Sequence, residues 1–99
     1  MTAIEVRING KLEATCGAEA LRQLVAMIAA RKSKDGTKTS YVVECMGVRP
    51  KNATTEEVLR WLNTRISVGD EVSFKFVEAV SAAAPFDSQD IPRNGGQDS

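Results

Sequence analysis

Asn9-Gly10 lies between two short alternating segments, and it constrains the fold more tightly than any other feature of the chain. Before it, Ile4, Val6 and Ile8 alternate with Glu5, Arg7 and Asn9. After it, Leu12, Ala14 and Cys16 alternate with Lys11, Glu13 and Thr15. A period of two buries one face of a strand and leaves the other wet. Asn-Gly tolerates positive φ at both central positions of a two-residue turn, the geometry that joins two twisted strands most directly. Residues 1–16 are therefore predicted to form an antiparallel hairpin, closed by Gly17.

From Ala18 the period changes. Leu21, Leu24, Val25 and Ile28 fall at i, i+3, i+4 and i+7, the spacing of one helical stripe. Alanines at 20, 26, 29 and 30 add helix propensity, and Glu19 and Arg31-Lys32 suit the two ends of a helix dipole. The pattern predicts a main helix over about 18–32. Ser33–Ser40, with Asp35-Gly36, reads as a loop, and Tyr41–Val48 as a third strand. Pro50 ends that ladder. Thr54 and Glu57 have capping-box spacing, which predicts a short second helix carrying Val58, Leu59, Trp61 and Leu62. Gly69-Asp70 turns the chain into a last strand, with Val72, Phe74 and Phe76 assigned to the core. Residues 80–99 have no usable period and contain Pro85, Pro92 and Gly95-Gly96, and so read as a flexible tail.

The order strand, strand, helix, strand, short helix, strand predicts one α+β domain over residues 1–79. Its mixed sheet of four to five strands would place the last strand parallel to the first. Ninety-nine residues do not bury two separate cores.

The chemistry available is narrow. There is no histidine, which removes the commonest general base and the commonest metal ligand. Two cysteines cannot build a structural zinc site, and neither has a visible base beside it. Glu56-Glu57 are assigned to a helix start, not a catalytic pair. No phosphate-binding glycine loop is present. The 13 basic and 13 acidic residues balance, which argues against a dedicated nucleic-acid or membrane-surface protein. The basic stretch Arg31, Lys32, Lys34, Lys38 is assigned to a solvated helix end. No apolar run reaches the roughly 20 residues a bilayer requires, and no secretory leader pattern is seen, so a cytoplasmic location is expected. Reduced thiols follow from that compartment, with Cys16 and Cys45 as buried apolar residues. A disulfide between them is open only if the strands bring them together. The chain is expected to have no enzymatic activity, bound cofactor or metal of its own.

The element order over residues 2–79 resembles the ubiquitin-like β-grasp superfamily, which includes protein modifiers and sulfur carriers. Glu57-Val58-Leu59-Arg60-Trp61-Leu62 followed by Val68-Gly69-Asp70-Glu71-Val72 also looks like small bacterial proteins of no assigned activity. The sharper feature is Arg93-Asn94-Gly95-Gly96 before Gln97-Asp98-Ser99. In the modifiers a Gly-Gly end is the reacting terminus, since glycine fits a narrow channel where a Cβ would clash. The resemblance implies a bacterial-type modifier precursor. A processing peptidase would cut after Gly96 and before Gln97. An activating enzyme would adenylate Gly96 with ATP, and conjugating enzymes would join it to a target protein. The chain departs from that pattern in the length of its tail and in the two prolines within it. The alternative is a non-catalytic interaction module, an adaptor or immunity-type binder, working through a sheet face or edge. A sulfur carrier, with a thiocarboxylate at Gly96, is a third reading.

Overall fold

A computed structural model describes residues 1–93. Their elements in chain order are β1 (Thr2–Ile8), β2 (Lys11–Cys16), β3 (Gln23–Lys32), β4 (Thr39–Pro50), β5 (Thr55–Ile66), β6 (Val72–Glu78) and β7 (Asp87–Pro92). Asn9 and Gly10 take φ of 52° and 82°, so the hairpin expected from the sequence closes as a two-residue turn. Glu13 is a bulge: Val6 pairs with Ala14 and Arg7 with Leu12. The bulge moves Leu12 to the outer face beside Arg7 and leaves it 44 % exposed.

The strands form two antiparallel sheets, ordered β2-β1-β6 and β3-β4-β5-β7. Their inner faces share one core, with Ile4, Val6 and Cys16 from the first sheet against Val43, Cys45, Leu59 and Trp61 from the second. The described residues contain no helix, so the expected α+β β-grasp architecture, with its mixed sheet on a main helix, is replaced by a two-sheet, all-β sandwich.

Each departure has a local cause. The segment expected as the main helix pairs with β4 in unbroken register, from Gln23 opposite Val48 to Lys32 opposite Thr39. Leu24, Ala26, Ile28 and Ala30 share its inner face, and two of these four are alanine, so small residues hid the alternation. Ten paired residues outweigh the helix preference of alanine, which is a weak prior beside tertiary pairing. The polar loop 33–38 is the hairpin turn of that pair. Asp35 Oδ1 accepts from the Ser33 hydroxyl (2.6 Å), the Thr37 N–H (3.0 Å) and the Thr37 hydroxyl (2.8 Å), and Gly36 takes φ 74°.

The expected second helix is β5. Its register slips by one between Cys45–Leu62 and Met46–Arg60, making Trp61 the extra residue of a bulge. Leu59, Trp61 and Leu62 all reach the core, and that broken period imitated a helical stripe. β6 runs antiparallel to β1, not parallel, with Ile4 opposite Phe76 and Val6 opposite Phe74. A parallel return requires a crossover on the same sheet; here the intervening strands build the second sheet instead. Residues 87–92, expected within a patternless tail, form β7 against β5. Its Asp and Pro residues carry no apolar alternation because it is held by backbone pairing at a sheet edge.

Candidate functional site

The two flanks of the sandwich differ. On the β2/β5 flank the segment after β6 crosses from sheet to sheet. The Ala83 N–H donates to Thr15 O (2.9 Å), and Ala83 O accepts from Trp61 Nε1 (2.8 Å). The chain then returns as β7, where Lys51 pairs with Asp90 (2.6 Å) and the Ser88 hydroxyl donates to Glu57 (3.0 Å). Glu56, the buried acid of this end, receives both arms of Arg22 (2.9 and 2.8 Å). Glu57 binds Arg49 (2.8 Å), which with Ser88 holds its carboxyl below the usual range. Glu56 and Glu57 are thus structural ion-pair partners rather than the start of a helix.

The opposite flank is open. β6 ends the first sheet and β3 ends the second. β1 lies against β3 and β2 against β5, so β6 projects past β3. Phe74 and Phe76 occupy the inner face of β6, yet they are 40 % and 71 % exposed, because among the described residues no strand covers them. They were expected in the core; only their strand's position in the sheet, which alternation does not encode, separates core from shelf. With Ile4, Leu24, Val25 and Ala26 they line an apolar cleft of about 310 Å³. Ile28, farther along the inner face of β3, is 60 % exposed.

The edge beneath this shelf is unguarded over most of its length. Sheet edges are commonly protected by charge, proline or a bulge. β2 carries Lys11 and the Glu13 bulge, and β7 carries Asp87, Asp90 and Pro92. β6 has Lys75. β3 carries Arg31 and Lys32 at its end, but from Gln23 to Ala30 it has no charge and no proline. The Ser33 N–H bonds Lys38 O (2.8 Å) at the end of the same register, so odd-numbered residues of β3 face β4. The N–H and C=O groups of residues 24, 26, 28 and 30 therefore point away from the sheet. The basic stretch expected at a helix end begins on this strand: Arg31 pairs with Glu44, and Lys32 is exposed.

The two cysteines meet in the core. Cys16 of β2 and Cys45 of β4 come from opposite sheets, are fully buried and belong to one core cluster. The neighbouring Cys45 thiol and burial push the Cys16 thiol up, while Cys16 holds Cys45 lower, against its own burial. Their burial was legible in the sequence; their contact, between residues on non-adjacent strands, was not. Among the described residues no group of three metal-ligating side chains exists, and no helix is long and apolar enough to cross a membrane. Gly95, Gly96 and the bond before Gln97, expected as conjugation terminus and cleavage point, lie outside the described residues.

No protein-family model, no curated protein and no solved structure matches the chain.

Proposed function

We propose that the chain is a non-catalytic protein-interaction module, an adaptor or immunity-type binder, that takes up an extended segment of another protein on its open flank. The observation that carries this is the pairing of an edge free of charge and proline from Gln23 to Ala30 with an apolar shelf. A strand added beside β3 would meet the outward N–H and C=O groups of residues 24–30 and lie beneath Phe74 and Phe76. Main-chain bonding supplies affinity in this mode, and side chains pointing into the cleft supply specificity. The preferred partner segment alternates apolar and polar residues and carries an acidic residue near Lys32.

A photo-crosslinkable residue placed at Phe76 tests this in the cells that make the protein. The same residue at Val68, in the exposed turn before β6, is the control. A discrete adduct from position 76 that is absent from position 68, and that is lost on Ala30→Pro, is expected. Ala30→Pro removes an N–H that faces away from β4, so β3 itself keeps its pairing. No adduct at position 76, or equal labelling at 68, defeats the proposal.

Conjugation at Gly96 is a second proposal and now rests on Gly95-Gly96 alone, without the helix-bearing fold that accompanied it in the sequence. Its test is the intact mass after incubation with a processing peptidase and an activating enzyme with ATP. A species ending at Gly96 that forms a thioester supports it, and an unchanged mass removes it.

A further inference from the structure

The docking flank makes no use of the thiol pair sealed in the core. Cys16 closes β2 in one sheet, and Cys45 lies mid-way along β4 in the other. Each is 0 % exposed, and each belongs to the cluster formed by Ile4, Val6, Val43, Leu59 and Trp61. Free buried cysteines need no thiol neighbour to pack well. These two enter the same buried cluster from different sheets, so a bond between them would join the layers at the centre of the sandwich.

We propose that Cys16 and Cys45 form an inter-sheet disulfide when the chain folds in the presence of a thiol oxidant, such as a low-molecular-weight disulfide. Two S–H bonds break and one S–S bond forms. The two electrons pass to the oxidant disulfide, and the two protons end on the two small thiols released from it. The route runs through a mixed disulfide on whichever cysteine reacts first, and the other cysteine displaces the small thiol. Because both sulfurs are sealed, the native reduced chain reacts slowly, and the bond closes during folding or during transient opening of the sheets. The crosslink would enclose the Gly17–Glu44 segment, including the whole β3 edge, and so restrict the unfolded chain. The same segment supplies the docking edge, so the oxidised form would hold that edge more firmly in place.

The test is refolding of the denatured full chain in oxidised and reduced glutathione, followed by alkylation under denaturing conditions and intact mass. The expected product is monomeric, two hydrogens lighter and closed to alkylation, while Cys16→Ala and Cys45→Ala give no such species. Its Tm should exceed that of the reduced chain by about 10–30 °C. If both thiols still alkylate, if the product is a glutathione adduct or an intermolecular dimer, or if the oxidised monomer melts below the reduced one, the proposal is wrong.

Discussion

Gly47 sits where β3, β5 and the segment before β3 converge, and its replacement by alanine gives a test with a sign. In an unobstructed strand, alanine is the better residue by about 0.5–1 kcal/mol, because glycine loses more freedom on folding. Here a Cβ would lie 3.0 Å from Leu21 Cδ2, 3.1 Å from the Gln23 carbonyl oxygen and 3.1 Å from Trp61 Cζ3. The leucine tip can yield. The Gln23 carbonyl belongs to a paired strand, and the indole is held by its 2.8 Å bond to Ala83. Two of the three neighbours are therefore fixed, and overpacking of this kind costs about 1–3 kcal/mol. In a domain of this size that is a fall in Tm of about 5–20 °C. Trp61 is the only tryptophan, so urea unfolding followed by its fluorescence reads the site directly. A double-mutant cycle with Leu21→Ala should recover part of the loss, since that substitution clears the third neighbour. If Gly47→Ala matches or exceeds the parent in stability, the packing of Leu21 and Trp61 over β4 is wrong.

Three further outcomes follow from the same geometry. Ala20 takes φ 63°, a left-handed conformation that costs alanine about 1–2 kcal/mol, so Ala20→Gly should leave stability unchanged or raise it by up to about 1 kcal/mol. Within a helix the same substitution would lower stability by about 1 kcal/mol, and a urea midpoint tells the two apart. Trp61→Phe removes the donor to Ala83 O and should cost about 1–2 kcal/mol while leaving the far-ultraviolet dichroism unchanged. Asp35 is held at about 2 by the Ser33 hydroxyl, then by the Thr37 N–H and hydroxyl. A folded-state value below the unfolded one means that its contribution is full above the ordinary carboxylate range and disappears as pH falls through about 4 to 2. A carboxyl-carbon NMR titration should place its midpoint near 2, and Asp35→Asn should flatten that part of the acid limb.

What the sequence disclosed depended on whether a local pattern had a single structural meaning. Asn9-Gly10 had one, and the β1–β2 hairpin forms as expected. Val72, Phe74 and Phe76 were legible as a strand, but not as an outer strand whose inner face lacks a partner, since order within a sheet is set by pairings between distant residues. The i, i+3, i+4, i+7 spacing of Leu21, Leu24, Val25 and Ile28 fitted two structures. Alanines at 26 and 30 fill the inward positions that a larger residue would have marked as alternating. Thr54 and Glu57 have the spacing of a helix cap, yet Thr54 sits in a turn where its N–H and hydroxyl both donate to Asn52 Oδ1. The Trp61 bulge then disrupted the strand period that would have corrected the error. Part of the open flank was therefore visible as composition: a run from Gln23 to Ala30 without charge or proline is unusual for an exposed edge, but it becomes a site only once the segment is known to be one.

The segment from Gln23 to Lys32 supports both the fold and the docking proposal, and its conformation is the most direct test of either. Backbone NMR assignment of the isotope-labelled chain reads it in one experiment. Extended Cα and Cβ shifts through this segment are expected, with close Hα–Hα contacts across Ala26–Cys45 and Ile28–Val43, and amide exchange that is fast at residues 24, 26, 28 and 30 and slow at their odd-numbered neighbours. Helical shifts over residues 18–32, with contacts between residues three and four apart and no cross-strand contacts to β4, would contradict the sandwich and remove the edge on which the proposed function depends.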